Sequence, residues 1–237
     1  MLAKKTMLRW TTGARKNGTR TIAGALAAGL LMAGAVQVRA QALAQQGKLG
    51  PAAPVTYNNR YEVYGGLSFM NFQAGQSLPK RMNLGGGEVL GTYWVTKNLG
   101  VGADYRLEAG TTPVFPNTFN VNRPLVYMNI GMLGAQYRGP KNQHAALNYH
   151  AYFGVASGVF DSGLAHVPTT PINFQPTIGL YTNRTKPIAA LGVSLDFNRS
   201  KNFAIRLSPD LILEHFGSET RQFFAISGGV VYRFGKR

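Results

Sequence analysis

From Arg60 onward, apolar and polar residues alternate in eight separate segments. A period of two sends successive side chains to opposite faces of a strand, so each segment reads as a strand with one apolar face. The segments are Arg60–Met70, Leu84–Thr96, Leu99–Ala109, Pro124–Arg138, Ala145–Gly158, Ile188–Asn198, Asn202–Glu214 and Gln222–Phe234. The third is the clearest: Leu99, Val101, Ala103, Tyr105 and Leu107 alternate with Gly100, Gly102, Asp104, Arg106 and Glu108. The fourth is rich in Met and Tyr and alternates imperfectly, so a bulge that shifts its phase is expected there.

The connections add a second pattern. Lys97-Asn98, Gly139–His144 and Arg199–Lys201 are short, whereas Asn71–Asn83, Gly110–Arg123, Val159–Pro187 and His215–Arg221 are longer. Short and long connections take turns along the chain. Membrane barrels have an even strand number, short periplasmic turns and longer outer loops. The order found here places both chain ends on the short-turn side. A tilted spanning strand needs roughly 9–11 residues, and every segment reaches that length.

The first 60 residues read differently. Residues 1–40 hold seven of the 25 Lys and Arg and none of the nine acids, which leaves about +9 of the formal +16 for the remainder. A run of small and apolar residues, Ile22–Val36, follows a basic stretch and ends near Ala40-Gln41-Ala42 and Ala42-Leu43-Ala44. This is the three-part pattern of a secretory signal, too short for a spanning helix, and residues 1–42 are assigned to it. Residues 43–59 are polar with Pro and Gly and read as a flexible periplasmic leader. Residues 60–237 form the expected barrel: all-β, eight-stranded, antiparallel and up-and-down.

Alternation alone does not say which face meets water. A soluble sandwich turns its apolar face inward, and a membrane barrel turns it out. Aromatic residues gather near strand ends, as at the two interfaces of a membrane. Tyr93, Tyr137, Tyr149, Phe197, Phe203, Tyr232 and Phe234 lie on the short-turn side, and Phe69, Phe72, Tyr127, Phe153, Phe216 and Phe224 on the long-loop side. The opposite strand face carries Glu62, Glu88, Asp104, Arg106, Glu108, Asp196, Arg206, Asp210, Glu214 and Arg233. Inside an eight-stranded barrel these side chains fill the lumen, and buried charges there must pair.

The ending Gly228-Gly229-Val230-Val231-Tyr232-Arg233-Phe234 resembles the C-terminal strand of outer-membrane barrels. Tyr61–Phe69 (YEVYGGLSF) is similar to the first strand of the OmpA-like and OmpX-like eight-stranded families. In those families the terminal residue is often the Phe itself, whereas Gly235-Lys236-Arg237 follow it here. The resemblance implies a small outer-membrane barrel with a blocked or narrow lumen, inserted by the barrel-assembly machinery. It implies a structural, adhesive or narrow-pore (porin-like) role without catalysis, and a monomer is expected.

Two alternatives stay open. One is a lipid A-modifying, deacylase-like enzyme. Glu214-His215-Phe216-Gly217-Ser218-Glu219 invites that comparison, but the resemblance calls for one residue between His and Ser on a strand, and two intervene here. The other is a secreted soluble β-barrel that binds a small ligand. No cofactor or metal is expected: there is no Cys, and the four His show no ligand spacing. His150 on the polar face reads as an internal hydrogen-bonding residue. Gly85-Gly86-Gly87 lacks the following Lys of a phosphate loop and reads as relief of crowding at a strand end. The basic balance lacks clustering and any nucleic-acid motif, so no nucleic acid is expected. The partners expected are outer-membrane lipid and lipopolysaccharide. Lys80, Arg81, Arg123, Arg184, Lys186 and Arg221, in or beside the long loops, are the candidate contacts to lipopolysaccharide phosphates. The long connection Val159–Pro187 is the main candidate for ligand binding.

Overall fold

The computed structural model describes residues 55–78, 80–118, 120–162 and 175–237. The proposed signal and most of the leader fall outside the described residues, as does the centre of the longest connection. Eight strands close into a barrel in sequence order, each antiparallel to its neighbours. They are β1 (Asn59–Phe72), β2 (Met82–Trp94), β3 (Leu99–Thr111), β4 (Leu125–Lys141), β5 (Ala145–Ser162), β6 (Arg184–Asn198), β7 (Phe203–Glu214) and β8 (Arg221–Lys236). β1 pairs with both β2 and β8, from Tyr61↔Tyr93 and Tyr61↔Phe234 upward, so no sheet edge is left open.

The short turns are fixed by local polar side chains. Thr96 Oγ1 accepts from the Leu99 amide at 2.8 Å. Asn142 Oδ1 accepts from the amides of His144 and Ala145, each at 2.8 Å. Ser200 Oγ accepts from the Phe203 amide at 3.1 Å. Such residues bond their own backbone ahead, which is why they stop strands and reverse the chain.

The apolar face lies outside. Val63, Leu67, Val89, Val101, Leu107, Leu133, Leu191, Ile205, Leu211 and Val230 are all exposed, while Asp104 and Arg206 are buried at 3% and 1% exposure. A water-soluble sandwich is the reverse of this, since exposed apolar area on that scale is unfavourable in water. The soluble alternative is therefore set aside. The exterior is that of a barrel bathed in hydrocarbon. Near the turns, Tyr61, Tyr93, Tyr137, Tyr149, Phe197, Phe203, Tyr232 and Phe234 form a belt. Neighbouring rings within it lie close, with Tyr61–Phe234 at 5.4 Å and Phe203–Tyr232 at 4.9 Å between centroids.

Three sequence expectations are corrected. Phe72 and Phe216 point inward, at 1% and 0% exposure, and do not belong to the outer belt. Phe153 sits at the middle of the 18-residue β5, opposite Leu133, and not at its loop end. Across its middle β4 keeps strict phase: Val126, Met128, Ile130, Met132, Gln136 and Arg138 all face in. Its register with β5 shifts only near the two ends, between Leu125 and Tyr127 and between Arg138 and Lys141. The broken alternation in the sequence has another cause: the lumen is itself apolar beside that half of β4.

Candidate functional site: the lumen and its two mouths

Seven of the nine acids of the chain face the lumen: Glu62, Glu88, Asp104, Glu108, Asp196, Asp210 and Glu214. Four arginines join them, Arg106, Arg138, Arg206 and Arg233. The register stacks these groups in tiers.

The tier nearest the turns is built on Glu62 and Asp196. Arg206 holds Asp196 through Nε and Nη2 and reaches Glu62 Oε2 at 3.3 Å. Arg233 bridges the same pair, at 3.1 Å to Glu62 and 2.8 Å to Asp196. Arg138 also bonds Glu62. Asn148 donates to Asp196 at 3.2 Å, and Asn59 donates to Glu62 at 3.0 Å. Each carboxylate thus answers several fixed donors, and planar guanidinium forks suit that geometry.

The middle tier centres on Arg106. It reaches Asp104 at 2.9 Å, Asp210 at 2.6 Å and Glu88 at 3.5 Å. His150 Nε2 lies 2.6 Å from the other oxygen of Asp210, and its ring stacks on Tyr152 at 5.2 Å. Gly192 makes this possible. A Cβ there would stand 2.0 Å from Asp210 Oδ1 and 2.5 Å from His150 Nε2.

Above these tiers the lumen turns apolar. Met70, Phe72, Met82, Leu84, Met128, Phe160, Phe216 and Phe223 are all within a few per cent of full burial and form one cluster. Phe72 stands 5.2 Å from Phe223, 5.9 Å from Phe216 and 6.4 Å from Phe160, between ring centroids. The outer connections fold onto this cluster. A single 3-10 turn, Gln175–Ile178, leads into buried Leu180 and Tyr181. The Tyr181 amide donates to Ala74 O at 2.8 Å, and Phe115 N donates to Ile178 O at 3.2 Å. Gln76 Nε2 donates to Ser218 Oγ at 2.8 Å, tying the first long loop to the last. Asp161 accepts from Gln175 and Asn183, each at 2.8 Å.

The turn-side mouth is covered by residues just before β1. Tyr57 is 8% exposed and adopts a φ of 55°, a conformation non-glycine residues seldom take. Its hydroxyl donates to Asn142 O at 2.7 Å and accepts from Asn198 Nδ2 at 2.6 Å. Arg138 and Arg233 approach its ring at 5.0 and 5.2 Å. Burial raises the phenol above its ordinary pKa, and the Asn198 hydrogen bond and the two arginines oppose that only in part.

All ten charged residues taken from the sequence as lumen-facing are placed there. Two of the acids, Glu108 and Glu214, have no cation within ion-pair distance among the described residues, and Glu214 instead accepts from the Phe216 amide at 2.5 Å. Arg138, Asn148 and Tyr57 complete the turn-side tier and were missing from the sequence set. Arg138 was legible by parity, two residues beyond Gln136 on one face. The loop cations are scattered. Lys80, Arg81 and Arg123 are exposed, and Arg184, Lys186 and Arg221 are half-buried. Arg81 lies over the Phe223 ring at 5.3 Å, Arg184 over Tyr181 at 5.1 Å, and Arg221 bonds Gln73 at 2.5 Å. Arg184 and Lys186 belong to β6, which starts earlier than the sequence indicates.

The residues that invited a hydrolase comparison do not assemble. His215 Nδ1 lies 3.1 Å from Thr220 Oγ1, and Ser218 engages Gln76. No cluster able to hold a metal ion occurs among the described residues. A depression of about 490 Å3 opens among the outer loops, lined by Gln76, Phe115, Pro176, Tyr181, Arg184 and Ser218 among others.

No protein-family model and no curated protein matches the chain. Solved structures do. The chain is similar to the outer membrane protein OprG from Pseudomonas aeruginosa, with 9% identity over 78% of this chain and 98% of that one, at a TM-score of 0.53. It is also similar to Neisserial surface protein A (NspA), with 12% identity over 73% of this chain and 97% of that one, at a TM-score of 0.50. At such identities the likeness speaks for the backbone alone, and it agrees with the apolar exterior and the closed register. By fold, the chain is an eight-stranded transmembrane β-barrel of the bacterial outer-membrane type.

Proposed function

We propose that this protein is a sealed outer-membrane barrel whose role is structural and adhesive, with its long loops as the working surface. The observation that carries this reading is the Phe72–Phe160–Phe216–Phe223 cluster closing the outer half of the lumen above two ion-paired tiers. An eight-stranded barrel has only enough interior for its own side chains, and here they interlock from one mouth to the other. Such a body presents loops rigidly, which favours binding over transport. Reconstitution into planar bilayers tests it. No steps of conductance are expected, and stable ion-conducting events would overturn the sealed reading in favour of a narrow pore.

The loop cations support a lipopolysaccharide contact. Lys80 and Arg123 are exposed and free of carboxylate partners among the described residues, and they belong to the long connections at the end of the barrel where outer-leaflet phosphates would be met. Replacing both by Gln should reduce lipopolysaccharide co-purification several-fold, and unchanged retention counts against the contact. Catalysis is left out of this reading because His215 and Ser218 answer different partners. Mass spectrometry of lipid A from cells with and without the protein checks that, and any acyl-chain loss that depends on the protein would reverse it.

A further inference from the structure

The nine acids are distributed very unevenly. Seven line the lumen, and the remaining two, Asp161 and Glu219, lie at the loop end. None stands on the turn-side rim. Seven cations are exposed there: Arg60, Lys97, Lys141, Arg199, Lys201, Lys236 and Arg237. Lys141 donates to Asn98 Oδ1 at 2.8 Å, Arg237 donates to Trp94 O, and none of the seven has a carboxylate side chain within ion-pair distance among the described residues. The rim lies just beyond the aromatic belt, where the phosphates of a lipid leaflet would stand.

Directly above part of this rim, the barrel exterior is hollowed. A groove of about 750 Å3, almost wholly apolar, has Tyr61, Tyr93 and Phe234 at its lower lip and rises over Gly91 and Ala103 to Leu133. The register explains the hollow. Val63, Gly91, Ala103 and Leu133 form one outward row across β1 to β4, and its two central members have little or no side chain. A Cβ added at Gly91 would meet nothing within 4 Å. Three of the rim cations flank the foot of the groove. Arg60 precedes Tyr61, Lys97 lies in the turn four residues past Tyr93, and Lys236 pairs with Asn59 two residues beyond Phe234.

We infer that the groove seats an acyl chain of an anionic phospholipid of the inner leaflet, with its phosphate held by Arg60, Lys97 and Lys236. The inference rests on the proposed membrane-spanning reading. Lipopolysaccharide does not fit the position, since the loops and its leaflet lie at the opposite end of the barrel. The apolar groove accounts for the chain, and a rim that carries cations without acidic side chains accounts for the headgroup sign.

Native mass spectrometry of the folded protein in mild detergent tests this, with dioleoyl phosphatidylglycerol and dioleoyl phosphatidylethanolamine as competing probes. One surface cation is worth roughly fivefold in affinity for an anionic lipid. The wild type should therefore retain phosphatidylglycerol over phosphatidylethanolamine by at least about that factor. Arg60→Gln, Lys97→Gln and Lys236→Gln together should bring the ratio towards one. Gly91→Leu, whose Cβ enters open space and whose side chain extends into the groove, should reduce retention of both lipids while leaving the rim charged. Equal retention of the two lipids by the wild type overturns the inference, as does a ratio untouched by the charge variant or capture of peptidoglycan with no lipid preference. A protein that inserts into neutral vesicles and shows the gel shift of a folded barrel, yet no headgroup preference, defeats only this inference. Failure to insert into vesicles of any charge defeats the membrane reading beneath it.

Discussion

Arg206 grips Asp196 with two hydrogen bonds, Nε to Oδ1 at 2.6 Å and Nη2 to Oδ2 at 2.9 Å, across directly paired positions of β6 and β7. Asp196 also answers Arg233 and Asn148, so it is shared by three donors on three strands. Removing one partner of a buried pair leaves the others charged and unmatched, a loss of about 3–5 kcal/mol. Asp196→Ala should therefore lower the urea midpoint of the refolded protein strongly. Arg206→Lys should fall between, because it keeps the charge and loses the fork. A midpoint unmoved by Asp196→Ala would show that the tier contributes nothing to stability.

Gly192 is the next test. With Asp210 Oδ1 only 2.0 Å from where a Cβ would stand, Gly192→Ala must push the His150–Asp210 contact apart. A loss of about 1–3 kcal/mol is expected, the usual range for overpacking a filled interior. Gly91→Ala faces open space and should change little. Pairing Gly192→Ala with His150→Ala should recover part of the loss. If the two glycine variants unfold at the same denaturant concentration, the steric account is wrong.

The apolar plug makes a third prediction. Truncating Phe216, which touches the rings of Phe72, Phe160 and Tyr181, should cost about 3–5 kcal/mol by the usual Phe→Ala range. The variant should still conduct no ions, because the ion-paired tiers below it are intact. A conducting Phe216→Ala barrel would place the whole seal in the plug.

Tyr57 supplies the pH dependence. Its phenol is raised above the ordinary value of about 10 by burial, so the folded state holds this proton more tightly than the unfolded chain does. The stabilisation is complete below pH 10 and is lost as pH rises through the raised value. Titration of tyrosinate absorbance in wild type and Tyr57→Phe should differ by one step lying above pH 10. A missing step at or below pH 10 would contradict the buried placement.

Much of the barrel was legible because lipid and lumen impose opposite demands on neighbouring residues. Leu99 to Glu108 shows that contrast in full, and its structure follows the alternation residue by residue. The contrast fades where both faces are apolar. Val126, Met128, Ile130 and Met132 face the plug while Tyr127 and Leu133 face outward, so β4 looked out of phase when it was not. Phe72 and Phe216 share that cause. Their parity with Glu62 and Glu214 pointed inward, but an aromatic ring at a strand end reads equally well as an interfacial anchor. The ends of β5 and β6 ran past their sequence bounds because Val159–Ser162 and Arg184–Pro187 break the alternation, and only pairing with neighbours extends them. Tyr57 lay in a stretch whose composition signals a leader, and nothing local marks a residue that closes a distant mouth.

Sorting the acids into the interior has a consequence for biogenesis. The unfolded chain displays its negative groups to solvent alongside its positive ones, and they partly cancel. Closure of the barrel withdraws seven of nine acids from water and leaves exposed lysines and arginines at both ends. The surface excess of cations therefore comes into being only when the last strand meets the first, so attraction to negatively charged surroundings grows with the finished shape and is weaker in any half-assembled form.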